Sequence, residues 1–397
     1  MSLAGRRVVL GVSGGIACYK SCILARRLTE CGAAVDVILT AAATEFVRPL
    51  TFEALTRRPV HTSLWDRDRA LAHIDLARTP DVIVVAPATA NLLSRAAQGL
   101  ADDLLTAVLL ATRAPVLVAP SMNDEMYANA ATQRSLAMVR ERGWAVVGPA
   151  IGALAEGPSE RPGRMAEPED ILAEVERLIV GADSRLSGRR VLVTAGPTRE
   201  PLDAVRVLTN PSSGKMGYSL AARAFARGAE VILIAGPTTL PPPYGPEVVR
   251  ITTTAELLQA VEQRLPDADV LIMAAAPADF APRVVADGKP SRSDGGFNLD
   301  LVPTPDVLEL TTARRKPGAV TVGFALETGT ATERARSKRD RKGLDLIVLN
   351  RADELGSGFE VDTNRVTLIG EHGETPLELL PKPEVADRIL DAVERLL

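Results

Sequence analysis

The chain has 397 residues, 46% apolar and 24% charged, with a formal net charge of -4. That length exceeds one ordinary core and predicts two domains, while the composition is that of a folded globular protein rather than a disordered one. The charge balance speaks against a general nucleic-acid binder, because phosphate backbones select clustered positive charge.

Reading along the chain, Met1 to Gly15 offers too short an apolar run for a signal peptide and reads as a strand entering a turn. Arg6 to Gly11 is that strand, Val-Ser-Gly-Gly the turn, and Ile16 to Thr29 an apolar-periodic helix. Cys18, Cys22 and Cys31 fall in this region, an odd number that gives no disulfide framework and fits a reducing, cytoplasmic setting. Cys18 and Cys22 stand one helical turn apart but lack further ligands at metal-binding spacing, so they read as small helix residues. Val35 to Leu39, Val82 to Val85 and Val116 to Val118 are continuous apolar strands separated by helix-length segments, the pattern of a buried parallel sheet. No window supplies the roughly 20 apolar residues of a membrane span, since Arg113 interrupts the best candidate.

At Ala182 to Gly188 the pattern lapses into small and polar residues, and Gly188-Arg-Arg-Val-Leu-Val then echoes Gly5-Arg-Arg-Val-Val-Leu. A second domain is expected from there, which divides the chain into residues 1–183 and 187–397. Strands are predicted at Val231 to Ile234, Val270 to Met273, Val320 to Gly323 and Leu346 to Leu349, with a helix over Tyr218 to Arg227. Pro241 to Pro246 reads as a rigid loop and Ala286 to Phe297 as a flexible one. The fold class expected is α/β, with two doubly wound, Rossmann-like domains whose loops at the strand carboxyl ends bind ligands.

Two segments of the second half could bind an anion. Asn210-Pro-Ser-Ser-Gly-Lys-Met-Gly precedes a helix whose first amides attract negative charge, though taken alone it equally suits a capped helix after a Gly-rich loop. Glu333 to Lys342 packs six cations into ten residues, with Lys338 and Lys342 at i, i+4, a repulsive spacing that suits either a solvated face or a polyphosphate ligand.

These segments, with Val191 to Glu200, Met273 to Phe280, Pro305 to Leu308 and Gly323 to Thr328, resemble the phosphopantothenate–cysteine ligases in order and spacing over the whole second half. The resemblance implies that CTP activates 4'-phosphopantothenate as an acyl-cytidylate, which the amine of L-cysteine attacks. It assigns Asn210 to the acyl-cytidylate, Ala275, Asp279 and Phe324 to the cytidine pocket, and Pro305, Asp306, Val307 and Leu308 to a cover over the nucleotide. Lys289, Lys338 and Lys342 would meet phosphates, with Mg2+ at Asp279 sharing the charge. The loop that usually reads Lys-x-Lys-Lys in this family is Lys289-Pro-Ser-Arg292 here.

The first half carries Gly11 to Lys20, Ala86 to Asn91, Gly99 to Leu105, Pro120 to Tyr127 and Pro162 to Met165, which resemble the FMN-dependent cysteine decarboxylases, in the form joined to that ligase in bacteria. Gly11-Val-Ser-Gly-Gly departs from Gly-x-Gly-x-x-Gly, which disfavours NAD. The resemblance implies FMN against Gly11, Ser13, Gly14, Thr40, Ala86, Thr89, Ala90 and Asn91, a role for His73 in the chemistry, and Asn123 as the clamp on the substrate carboxylate. The family's Ala-Cys-Gly, whose cysteine donates the final proton, is replaced by Leu154-Ala-Glu-Gly157. Two readings follow: Glu156 donates the proton once burial raises its pKa, or the domain is a flavin-binding scaffold beside an active ligase. A decarboxylase of peptide C-terminal cysteines and an unrelated nucleotide-binding regulator are the more distant rivals. The resemblance also implies trimers of the flavin domain, dimers of the ligase domain and a dodecamer built from both.

Overall fold

A computed structural model describes residues 3–65, 71–286, 288, 298–327, 331–351 and 361–397. The chain divides into two compact units, Met1–Val180 and Gly181–Leu397.

The first unit runs β1 (Arg7–Val12), α1 (Cys18–Glu30), β2 (Ala34–Leu39), α2 (Pro49–Thr56), β3 (Val60–His61), α3 (Ala72–Arg78), β4 (Val82–Ala88), α4 (Ala90–Gln98), α5 (Leu104–Ala111), β5 (Val116–Pro120), α6 (Asp124–Ala128), α7 (Ala130–Glu141), β6 (Ala145–Val146), β7 (Ala150–Ile151), β8 (Pro162–Arg164) and α8 (Pro168–Val180). Six strands form one parallel sheet in the order β3-β2-β1-β4-β5-β6, so chain direction along the sheet reverses between β1 and β4 and a crevice opens at their carboxyl ends. The central strands are buried along nearly their whole length, which is why they read as unbroken apolar runs. Val9, Ile38, Ile83, Val85 and Val118 pack with Leu93, Leu105, Val108 and Leu136 in one core, each such burial worth about 1.5–3 kcal/mol. Beneath the sheet edge Asp36 is buried between Arg7 (2.7 Å) and Arg58 (2.7 Å). Burial pushes its carboxyl up, and the two guanidiniums reverse that and hold it below the usual range.

The second unit runs β9 (Arg190–Ala195), β10 (Arg199–Pro201), β11 (Val207–Thr209), α9 (Lys215–Ala226), β12 (Glu230–Ala235), β13 (Glu247–Arg250), α10 (Thr254–Arg264), β14 (Val270–Met273), β15 (Phe280–Pro282), β16 (Leu301–Pro303), α11 (Val307–Leu310), β17 (Val320–Glu327), α12 (Ala331–Arg341), β18 (Leu346–Arg351), β19 (Thr363–Asn364), β20 (Val366–Gly370), β21 (Gly373–Pro376), β22 (Leu380–Pro381) and α13 (Lys382–Leu396). Its main sheet has the order β13-β12-β9-β14-β17-β18-β20-β21. The first six strands are parallel, and β20 and β21 add an antiparallel edge that the expected doubly wound pattern does not contain. The small antiparallel pairs β10/β11 and β15/β16 are likewise additions. Leu192, Ile234, Leu257, Val261, Leu271, Ile347 and Leu349 form the core.

Helix α9 starts at Lys215, three residues before the predicted Tyr218. Gly214 precedes it at φ +79°, a left-handed conformation that suits glycine and turns the Asn210 loop directly into the helix. Gly217 lets the helix lie against β9, since a Cβ there would sit 2.4 Å from the Ala195 Cβ. None of the three cysteines forms a disulfide; Cys18 is buried and Cys22 and Cys31 are half-buried. Among the described residues no helix is long and apolar enough to cross a membrane.

Candidate active sites

In the first unit a cavity of about 880 Å3 lies at the carboxyl ends of β1, β2, β4 and β5. Ser13 and Gly14 follow β1, Thr40 follows β2, Thr89, Ala90 and Asn91 follow β4, and Asn123 follows β5; all seven line it, together with Glu156 from the turn between β7 and β8. Ser13 is buried, and its hydroxyl donates to the Pro87 carbonyl (2.8 Å) while accepting from the Thr89 amide (3.1 Å). Thr89 then caps α4 by accepting from the Leu92 amide (3.4 Å), so the start of α1 and the start of α4 are tied together at the cavity. Gly14 is a cradle: a Cβ there would stand 2.4 Å from the Ala42 Cβ and 2.6 Å from its carbonyl carbon.

Asn123 caps α6, its Oδ1 accepting from the amides of Glu125 (2.9 Å) and Met126 (3.3 Å). That fixes the other side of the amide, and Nδ2 donates to the Glu156 carboxylate. The capping reading and the clamping reading of Asn123 are therefore compatible, because each uses a different atom. Glu156 itself is exposed, so the burial expected of it is not found in the single chain.

Three expected residues stand outside this lining. Gly11 faces inward, where a Cβ would sit 2.4 Å from Leu105 Cδ1. Ala86 is fully buried in β4, with its carbonyl accepting from Ser21 (2.6 Å). Both shape the wall from behind. His73 lies half-buried on α3 and does not line the cavity of its own chain.

Lys20 and Asp103, which stand inside the motifs Gly11 to Lys20 and Gly99 to Leu105 without an assigned role, also line the space, as does Arg95, which belongs to no motif. Lys20 is buried and donates to the Met165 carbonyl and Glu167, both at 3.0 Å. Arg95 pairs with Asp103 (3.0 Å) and with Asp102. The charges here are largely neutralised within the protein, leaving a mainly apolar cleft with hydroxyls and amides at one end, a lining suited to a planar cofactor with a polar tail.

In the second unit a cavity of about 500 Å3 collects Asn210, Ala275, Asp279, Pro305, Asp306, Val307, Leu308, Phe324, Lys338 and Lys342. The asparagine-led turn and the cationic helix, 128 positions apart in the case of Asn210 and Lys338, meet at one space. Asn210 Nδ2 donates to the carbonyls of Pro277 (2.9 Å) and Ala276 (3.3 Å), which fixes the turn against the loop after β14. That loop is held in turn by Ala275 N to Thr194 Oγ1 (3.1 Å) and Ala278 N to Thr198 Oγ1 (2.9 Å).

Asp306 caps α11 by accepting from the Glu309 amide (3.2 Å) and pairs with Lys342 (2.6 Å). Burial pushes its carboxyl up, but the Lys342 hydrogen bond and the charges of Lys342 and Lys338 more than offset that and keep it below the usual range. Lys338 Nζ donates to the Phe324 carbonyl (3.0 Å). Lys289 lies outside the described residues. Asp279 is exposed at the cavity, and no group of three or more potential metal ligands occurs among the described residues. A single carboxylate suits a Mg2+ held mostly by phosphates and water. Lys215, which stands inside the Asn210 to Gly217 motif without an assigned role, also lines this cavity, as do Lys382, Asn350 and Asn364, which belong to no motif.

Sequence comparison agrees with this division. Residues 1–180 match the Flavoprotein family and residues 186–397 the DNA/pantothenate metabolism flavoprotein C-terminal domain. The coenzyme A biosynthesis bifunctional protein CoaBC of Vibrio cholerae is 43% identical over 99% of this chain and 98% of its own, and that of Bacillus subtilis is 43% identical over 99% and 98%. A solved C-terminal domain of a CoaBC protein is 40% identical, covering 53% of this chain and 98% of that one, with a TM-score of 0.46. Matched along its whole length by proteins carrying both halves, the chain belongs to the bifunctional CoaBC family of coenzyme A biosynthesis.

Proposed function

We propose that the second unit condenses 4'-phosphopantothenate with L-cysteine at the expense of CTP, and that the first unit decarboxylates the product to 4'-phosphopantetheine with FMN. The chain is a bifunctional enzyme with a ligase half and a decarboxylase half; the substrates, cofactors and residue roles are the proposal. The observation that carries it is the convergence of Asn210, Asp279, Phe324, Lys338 and Lys342 on one cavity.

A carboxylate is a poor electrophile, so ligation begins with its oxygen attacking the α-phosphorus of CTP. Asn210, pinned on the loop after β14, steadies the acyl-cytidylate. Lys338 and Lys342 meet phosphate charge, Asp279 would hold Mg2+ bound mainly by the nucleotide, and Lys289 completes the set. Lys342 must leave Asp306 to do this, which couples nucleotide binding to the cover formed by Pro305 to Leu308.

In the first unit Ser13, Gly14, Thr40, Thr89, Ala90 and Asn91 would hold FMN, with the amides at the start of α1 toward its phosphate. FMN supplies a two-electron oxidation of the thiol side of the substrate and its later reversal, so that loss of CO2 leaves a delocalised enethiolate. Asn123 Nδ2 already donates to a carboxylate, that of Glu156, and in the working site donates to the carboxylate that is lost. Glu156, beside it, is the group placed to return the proton. Because His73 does not line its own chain's cavity, its role requires a neighbouring subunit. The family resemblance implies trimeric and dimeric contacts, combined in a dodecamer in the cytoplasm, and exposed Ile23 and Phe46 in the first unit and Val205, Val207, Phe280 and Leu301 in the second are available for such contacts.

The purified protein is expected to be yellow with a flavin spectrum, to form 4'-phosphopantothenoylcysteine only with CTP, and to release CO2 from it. Full-length matches to bifunctional proteins favour this over a flavin-binding scaffold. Ligation without any CO2 release at high enzyme concentration would return the scaffold reading.

A further inference from the structure

Between α11 and β17 the chain reads Ala313-Arg-Arg-Lys-Pro317, a basic turn of the kind that points into solvent. Two of its cations do so: exposed Arg314 pairs with Glu262 (3.5 Å) and exposed Lys316 with Asp269 (2.6 Å). Arg315 turns inward instead. It is half-buried, its Nε has no hydrogen-bond partner among the described residues, and the bonds it makes go to three main-chain carbonyls and a hydroxyl rather than to a carboxylate. Burial lowers the pKa of this guanidinium, with Asp345 opposing. Taking a cation out of water without a carboxylate bound to it is costly, and what it secures here is a joint between two elements.

Nη1 of Arg315 donates to the Gly343 carbonyl (2.7 Å) and Nη2 to the Lys342 carbonyl (3.1 Å), so the planar fork closes carbonyls left over at the end of α12. Gly343 stands there at φ +55°, the left-handed turn that ends the helix. Nη2 also donates to the Leu308 carbonyl of α11 (3.1 Å), and Thr312 Oγ1, itself 3.2 Å from Nη2, donates to the same carbonyl (2.9 Å). Leu308 and Lys342 both line the second cavity, and Arg315 does not. On the cavity side the same two elements are joined by Asp306 and Lys342. The cover and the end of the cationic helix are therefore bridged twice, in front by side chains that a ligand can reach and behind by a group outside the lining.

We infer that Arg315 is a positioning residue of the ligase half: by holding the carbonyls of Leu308, Lys342 and Gly343 it keeps the cover and Lys342 in register, so that the Lys342 ammonium stays at the cavity when phosphate replaces Asp306 as its partner. The inference rests on the reading of this cavity as a nucleotide-activated ligase site. The front bridge opens as the nucleotide binds. With the rear one gone as well, Lys342 stands at a helix end free to fray, and its charge spreads over several positions instead of one. A neutral side chain at position 315 fills the volume but leaves the three carbonyls without their donor. A lysine there brings the charge on a flexible stem, without the rigid plane that spans both elements.

The test uses the full-length enzyme, with steady-state ligation at varied CTP, calorimetric titration with CTP, and hydrogen exchange without nucleotide. Arg315→Met is expected to raise the CTP constant about tenfold, with kcat changed less than about threefold and KM for L-cysteine less than about twofold. In a Lys342→Met background the same substitution should add less than about twofold, because the residue it acts through is gone. Arg315→Lys should lie nearer to Arg315→Met than to the parent. In Arg315→Met the amides of residues 306–312 and 339–344 should exchange faster together, while those of β9 and β12 keep the parent's rates. If Arg315→Met does not fold, as judged by circular dichroism, Arg315→Lys carries the same cycle and the same exchange measurement. An unchanged CTP constant in the folded variants overturns the inference. So does an equal loss in the Lys342→Met background, which would mean that Arg315 serves the fold alone, and so does full activity in Arg315→Lys, which would leave only charge at the helix end as its role. A parent enzyme that never ligates with CTP, while the two segments still open together in Arg315→Met, would remove the ligase reading and leave the joint standing.

Discussion

Both cavities open where a parallel sheet reverses direction, each beside a strand, a glycine-bearing turn and a helix, yet their charges are arranged in opposite ways. In the first unit Lys20 is satisfied by Glu167 and Arg95 by Asp102 and Asp103, so the cleft presents hydroxyls, amides and apolar surface. In the second, Lys342 is paired with Asp306 and Lys215 with Asp362, yet among the described residues of the lining four lysines stand beside two aspartates. On the proposed function, the frame decides where a ligand sits, and the balance of charge in the lining distinguishes a flat, largely apolar ring system from a polyphosphate.

The contrast breaks most sharply at Gly14. Gly14→Val is expected to expel the loop carrying Ala42, abolish flavin absorbance and lower CO2 release more than about 100-fold, while ligation in the same preparation stays within about twofold. Equal loss of both activities would show that the two cavities are not independent. Asn210→Ala is the reciprocal substitution, with ligation falling about 100-fold as a stabilising donor is removed and flavin retention unchanged.

A finer test concerns the hairpin turn that replaces the family's cysteine. Glu156→Gln keeps the shape but holds no transferable carboxyl proton, so CO2 release should drop about 10- to 100-fold, and Glu156→Cys should restore much of it. Full activity in the glutamine variant would remove Glu156 from the chemistry. The smallest expected effect is on stability. Asp36→Asn should cost about 2 kcal/mol at pH 7 in denaturant titrations. Because the folded pKa of Asp36 lies below its unfolded value, its stabilisation is present above pH ~4 and lost as pH falls through the folded pKa. The difference between variant and parent should therefore shrink in acid.

Much of this arrangement was legible in the residues. Continuous runs such as Val82 to Val85 can only be strands buried on both faces, and the second Gly-Arg-Arg opening announces another sheet. The Asn210, Phe324 and Lys338 motifs share a cavity because the loop before α9, the middle of β17 and the last turn of α12 reach the same space. What escaped depends on long-range approach. Lys382 looks like an ordinary lysine after a proline, and only the β19/β22 pairing beside it brings it to the cavity. The antiparallel edge of β20 and β21 was missed because Val366 to Gly370 is too short to separate from a loop by pattern. Gly11 and Ala86 belong to motifs at the first cavity but face its outer wall, a distinction of side that one-dimensional spacing does not contain. His73 illustrates a further gap, since a single chain's pattern says nothing of which copy's cavity a side chain serves.

The Asp306–Lys342 contact has a consequence for selectivity. While that lysine is latched to a carboxylate at 2.6 Å, a solitary phosphate or chloride ion meets a charge already spoken for. On the proposed function, opening the latch falls to a guest that engages several points of the cavity together, as a nucleotide would and a small anion would not. On that reading the ion pair itself would screen the cavity against small anions.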